Sequence, residues 1–120
     1  MSKKTVVIGA SINPERYSYL AIHQLRNHQH EVIAIGKSKG MVSDVSIINN
    51  NPPLRDVDTI TLYINPSIQK DYYQYILSLH PKRIIFNPGT ENSEFFQVVK
   101  GNGIQPLEAC TLVLLSTGQY

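Results

Sequence analysis

A glycine, a serine and an arginine stand close together in VVIGASINPERYSYLAI, residues 6–22: Gly9, Ser11 and Arg16. Their shared chemistry is anion capture. Glycine lets the backbone turn tightly and approach a ligand, while a hydroxyl and a planar guanidinium both donate to phosphate oxygens. The preceding TVVIGA (5–10) is a β-branched run that reads as a buried strand. From Tyr17 to His28 the apolar residues Tyr17, Leu20, Ala21 and Leu25 recur at helical spacing. A helix starting at such a turn offers unpaired amides and the positive end of its dipole to an anion, and Ser18 adds a second hydroxyl. Only the first glycine of the dinucleotide pattern G-x-G-x-x-G is present. The same residues also suit a plain strand–helix turn with an exposed arginine, so this segment alone leaves both readings open.

A second turn narrows the choice. EVIAI (31–35) reads as the next buried strand and runs into GKSKG (36–40). In an NAD-binding domain this strand ends in a carboxylate that bonds the ribose hydroxyls. Here it ends in two lysines, Lys37 and Lys39. A carboxylate would repel a ribose phosphate and a lysine attracts one. A solvated loop accounts for either lysine singly; together they point to a ligand with a phosphate on its adenosine ribose. NADP and coenzyme A are the two common ligands of that kind.

Catalytic and metal chemistry find little footing. His23, His28 and His30 fall on or just after the first helix, at its far end from the turn, and His80 ends a later helix. None has a carboxylate or cysteine at readable spacing. A metal site needs three or four converging ligands, and no such cluster is legible. Glu91, Glu94 and Glu108 read as helix-start or surface charges. No catalytic residue is assigned, and binding without catalysis is favoured over enzymatic activity.

These residues need elements to position them. TITLYI (59–64) is a third strand, and Asn65-Pro66 after it is a helix N-cap followed by the residue favoured at the first helical position. Ile68, Tyr72, Ile76 and Leu79 mark one helix face, which His80-Pro81 ends. RIIF (83–86) is a strand, NPGT a turn, and Phe95, Phe96 and Val99 lie on a short helix stopping near Gly101 and Gly103. IQPL (104–107) is a last strand, and CTLVLLS (110–116) a terminal helix or strand extension. VSII (45–48) suits either a strand or a turn, and GKSKGMVSD a loop. The alternation predicts an α/β chain: a Rossmann-like open parallel sheet of about five strands with helices on both faces, one domain over residues 1–120. Ligands of such sheets bind outside the carboxyl ends of the strands, where the strand order switches. The turns at Gly9–Arg16, Gly36–Gly40, Asn65–Ser67 and Asn87–Asn92 would share that rim.

Bulk composition agrees. With 42% hydrophobic and 17% charged residues the chain is ordinary for a globular domain. A net charge of +2 without a basic run excludes an electrostatic nucleic-acid binder. No apolar stretch is long enough to span a membrane. One cysteine, Cys110, cannot form an internal disulfide, and the expected compartment is the cytoplasm. Seven tyrosines and an apolar tail suit a dimer and core packing equally, which leaves the oligomeric state open.

In order and spacing, GASINPERYSY, GKSKG, YINP, NPGTEN and EAC resemble the motifs of the small stand-alone CoA-binding proteins, which are similar to the CoA-binding domain of the succinyl-CoA synthetase alpha subunit. The likeness covers nearly the whole chain. It implies a Rossmann-like fold and coenzyme A, or an acyl-CoA, as the small-molecule nucleotide ligand. It implies that Gly9, Ala10, Ser11, Pro14, Arg16 and Ser18 surround the diphosphate. Lys37 or Lys39 would meet the ribose phosphate, with Lys39-Gly40 the closer match to the synthetase-like loop. Asn65 and Pro66 would line the nucleotide or pantetheine path, and Asn87, Pro88 and Gly89 the next wall. Many relatives carry Val-Asn-Pro where this chain has Ile35-Gly36-Lys37, and an arginine where it has Ala109. The synthetase's phosphohistidine belongs to a separate domain, so its activity does not carry over. Cys110 reads either as a small buried hydrophobe or as a thiol within reach of the CoA thiol. The rival readings are an NADP-dependent reductase, a subunit of an acyl-CoA ligase, and a structural interaction domain.

Overall fold

The order of the strands decides where a site can form. The computed structural model describes residues 2–120. β1 (Thr5–Ile8), β2 (Val32–Ile35), β3 (Gly40–Val42), β4 (Val45–Ile48), β5 (Thr59–Leu62), β6 (Arg83–Phe86) and β7 (Gln105–Glu108) form one sheet in the order β3-β4-β2-β1-β5-β6-β7. Every neighbouring pair is parallel except the hairpin β3–β4. From β1 the chain first builds outward through β2 and then crosses back to lay β5 on the other side of β1. The switch in strand order therefore lies at β1 and β5, and the fold is a single-domain Rossmann-like α/β fold.

β1 occupies the centre, and all four of its residues are buried. Its side chains alternate between faces, as a strand's must. Val6 and Ile8 join Ile60, Leu62, Ile84 and Phe86 on one face, under Ile76 of α3 (Tyr73–Ser78) and Phe95 and Val99 of α4 (Ser93–Gly101). Val7 joins Ala34, Ile47 and Ile85 on the other, under Ile22 and Leu25 of α1 (Tyr17–Asn27) and Leu115 of α5 (Thr111–Ser116). Helices thus cover both faces. Each buried Ile, Leu or Phe removes enough apolar surface for about 1.5–3 kcal/mol.

Two expectations change. The sheet has seven strands rather than about five, because VSII is a strand and part of the expected GKSKGMVSD loop pairs with it. The turn between them carries Ser43 at φ 57, a conformation usually marked by glycine or asparagine, so the hairpin had no sequence signal. The expected helix from Ile68 to Leu79 is broken into α2 (Pro66–Gln69), a 3-10 turn (Lys70–Tyr72) and α3. The tighter 3-10 winding rotates α3 relative to α2. Ile76 and Leu79 enter the core, Ile68 lines the rim cleft, and Tyr72 lines the cleft while also packing against the core. Pro106 in β7 is accommodated because β7 is an edge strand.

Candidate functional site

At the carboxyl ends of β1, β2, β5 and β6 the connecting loops enclose a cleft of about 600 Å³. Two glycines let those loops close on one another. Gly9 has φ +93, and a Cβ there would sit 2.7 Å from the carbonyl oxygen of Tyr63. A Cβ on Gly36 would collide with the carbonyl oxygen of Ala10. The loop after β1 is thereby pressed between the loops after β2 and β5, and its Gly9 and Ala10 amides both donate to the Ile35 carbonyl, at 3.0 and 2.9 Å.

The same loop delivers the start of α1 to the cleft. Ser11 Oγ accepts from the Asn13 amide, and Asn13 Oδ1 from the Glu15 amide, each at 3.0 Å. Arg16 occupies the N-cap with extended backbone and no side-chain cap, and the first turn holds no acidic residue. The positive end of an 11-residue helix is left unneutralised at the cleft wall. Arg16 and Lys37 are exposed and are the charged side chains of the lining. The salt bridges among the described residues, Arg26–Asp44 and Lys82–Asp58, involve neither.

Of the residues expected from the sequence, Gly9, Ala10, Ser11, Arg16, Ser18, Lys37, Asn65, Pro88 and Gly89 line the cleft. Others lie off it. Pro14 is exposed in the turn before α1, and Lys39 is exposed beyond Ser38, so Lys37 is the lysine on the lining. Gly40 opens β3 and Pro66 opens α2. Asn65 caps α2, its Oδ1 accepting from the Ile68 amide at 3.0 Å. Asn87 is buried and faces inward. Its Nδ2 donates to Thr61 Oγ1 and the Leu62 carbonyl at 2.6 and 2.9 Å, and its Oδ1 accepts from the Thr111 amide at 2.9 Å. Cys110 is the half-buried N-cap of α5.

The sequence reading missed the apolar part of the lining. Ile12 (47% exposed) and Tyr17 (70%) stand at the β1 loop, and Ile64, Ile68 and Tyr72 on the β5 side. Ile68 and Tyr72 carried a helical periodicity that reads as core. Tyr63 and Thr90 complete the walls. Burial pushes the Tyr63 phenol up to about 12, with the Thr61 and Thr111 hydroxyls beside it, so it stays protonated at neutral pH.

A wider depression of about 820 Å³ lies at the opposite end of the sheet. Its lining mixes both signs of charge, with Glu31, Asp56 and Asp58 beside Lys4, Arg55 and Lys82; Lys82 faces Asp58 at 3.9 Å, and Lys4 Nζ donates to the Arg55 carbonyl at 2.7 Å. The smaller cleft carries cations without a carboxylate, an open helix start and an apolar wall, a lining suited to an anionic ligand with an organic body.

Similar proteins share this architecture. A crystal structure of an uncharacterized protein, 52% identical, superposes with a TM-score of 0.97 and aligns over 100% of this chain and 99% of its own. A cell-free protein, ID.343, from Thermus thermophilus, 20% identical, gives 0.83 over 98% and 91%. Prb, the PH1109 protein redesigned for binding, 17% identical, gives 0.85 over 98% and 84%. No curated protein sequence matches. Residues 3–116 match the model of the CoA binding domain family, a span holding every loop of the cleft, and on that match the chain belongs to this family.

Proposed function

We propose that the protein binds coenzyme A or an acyl-CoA along the carboxyl-end rim of the sheet, as a cytoplasmic single-domain binding protein with no reaction of its own. The observation that carries this reading is the pairing of Arg16 and Lys37, neither in a salt bridge among the described residues, on the adjoining β1 and β2 loops beside the uncapped start of α1. Arg16, the Ser18 hydroxyl and the first-turn amides suit the diphosphate, and Lys37 suits the ribose phosphate. Membership of the family supports coenzyme A over NADP.

Strand order supports a direction for the ligand. The cleft loops follow one another as β2, β1, β5, β6. Three interstrand spacings span about 14 Å. With the ribose phosphate at the β2 loop, the pantetheine arm runs across Asn65 and Ile68 toward Gly89 and Thr90.

Thermal unfolding with CoA, acetyl-CoA, NADP, NAD and ATP tests the reading. A ligand at a hundred times its dissociation constant adds about 2.7 kcal/mol to the folded state. CoA should give that gain. Stabilisation by NADP and not by CoA overturns the choice of ligand, and no response to any of them favours an interaction domain. A native mass spectrum of the protein as purified would show a carried-over ligand directly.

A further inference from the structure

Gln69 is the only polar side chain among the largest fully buried residues described, at 0% exposure. It ends α2, beneath the cleft, with every group of its amide engaged. Nε2 donates to the Ile64 carbonyl at 2.8 Å and to the Thr90 carbonyl at 2.7 Å. Oε1 accepts from Asn92 Nδ2 at 2.9 Å. Asn92 is itself fixed: it donates to the Tyr73 hydroxyl at 2.8 Å, and its Oδ1 caps α4 through the Phe95 amide at 3.0 Å.

Ile64 belongs to the loop after β5 and Thr90 to the loop after β6, and both line the cleft. The ladder between those strands ends at Leu62 and Phe86. Asn87, the first residue beyond the ladder, is tied back to Thr61 and Leu62, and farther out the Gln69 amide bridges the two walls with one donor group.

We propose that Gln69 is a positioning residue that sets the spacing of the β5 and β6 walls and so preorganises the far half of the cleft for the arm of the ligand. The proposal rests on the CoA reading above. An amide is the group this place demands. It supplies two protons to two carbonyls and still accepts from Asn92. A carboxylate would set negative charge against both carbonyl oxygens, and an apolar chain would leave them buried without donors. Walls held in place before binding spare the ligand the cost of ordering them.

The test compares CoA with adenosine 3′,5′-bisphosphate, which keeps the ribose phosphate and lacks the pantetheine arm. Calorimetric titration should show Gln69→Met binding CoA at least tenfold more weakly than wild type, with affinity for the bisphosphate within twofold. Gln69→Glu should recover part of the CoA affinity, relative to wild type, at pH 5.5 compared with pH 8, because only the protonated acid can donate to a carbonyl. A general loss of stability would weaken both probes alike. Equal losses for the two probes, or no loss for either, overturn the proposal. Should Gln69→Met fail to fold, Gln69→Glu at the two pH values carries the same comparison. If wild type itself does not bind CoA, the ligand reading fails, and the bridge is judged by hydrogen exchange in the free protein. Amides 89–92 should then exchange at least tenfold faster in Gln69→Met once β1 amides are taken as reference, and a uniform change overturns it.

Discussion

The two ends of the sheet both gather positive charge, and they treat it in opposite ways. At the amino end Arg83 lays its guanidinium 4.4 Å from the centroid of the Tyr120 ring and donates from Nε to Thr59 Oγ1 at 2.7 Å. Lys3 donates from Nζ to the Tyr120 carbonyl and from its backbone amide to His30 Nδ1. The His30 and Tyr120 rings stand 4.9 Å apart. The chain's own aromatic and carbonyl groups occupy this cluster, which closes the end of the fold. At the carboxyl end Arg16 and Lys37 are exposed beside a helix start with no side-chain cap. The cations at the amino end are covered by their own chain, whereas Arg16 and Lys37 are held out by loops whose backbone is braced beneath them. On the proposed function this difference separates stability from binding, and substitutions at the two ends should separate them too.

The largest effect is expected where the carboxyl-end loops meet. Gly36→Ala drives a methyl into the Ala10 carbonyl. It should cost about 3 kcal/mol of stability, the upper range for overpacking, read by urea unfolding. CoA binding should fail with it, because the β1 and β2 loops can no longer close.

The next effect should appear in affinity alone. Arg16→Ala and Lys37→Ala should each weaken CoA binding by about 1.5–3 kcal/mol, the range for hydrogen bonds to charged groups, with stability within about 0.5 kcal/mol of wild type. Dephospho-CoA should bind wild type more weakly than CoA and should bind Lys37→Ala about as well as CoA does. Unchanged wild-type affinity on loss of that phosphate would show that the lysine does not read it.

The amino end should give the mirror result on a smaller scale. Arg83→Met removes a ring contact and one hydrogen bond, and it also removes a buried Nη2 that has no partner. The gains and losses partly offset, so a cost of about 1 kcal/mol is expected. CoA affinity should not change; a tenfold change would join the two ends and undo the contrast between them.

The smallest effect is one of pH. Burial, followed by the nearby positive charges of His28, Lys3, the N-terminus and Arg83, lowers the pKa of His30 below its ordinary 6.5. The folded state therefore binds this proton less readily than the unfolded chain. The stability from neutral His30 is fully present above about pH 6.5 and is lost as pH falls from there through the depressed folded value. Unfolding midpoints at pH 7.5 and pH 5 should differ accordingly. His30→Asn, whose side-chain oxygen can accept the Lys3 amide without titrating, should flatten the slope.

Much of this molecule was legible along the chain, for local reasons. The β-branched runs at Val6–Ile8, Ile60 and Ile84–Ile85 state buried strands, and their alternation with helices states a mostly parallel sheet. Gly9, Ser11, Arg16 and Lys37, which line the cleft, could be singled out because turn chemistry and charge are written in residue type. Asn65-Pro66 announced a helix for the same reason. What only the tertiary structure decided depends on neighbours distant in sequence. Lys37 and Lys39 are alike in type, and the way the hairpin leaves the rim puts Lys37 on the lining and Lys39 outside it. Ile68 and Tyr72 share a periodicity with Ile76, yet across the 3-10 turn Ile68 lines the cleft, Tyr72 lies between cleft and core, and Ile76 is in the core. Asn87 has a rim position in the chain, yet Thr61, Leu62 and Thr111 engage its amide and turn it inward. Gln69 carries no signal at all in the sequence. Its role exists only because the Ile64 and Thr90 carbonyls, from loops joined by no backbone ladder, converge on one buried amide that must satisfy them both.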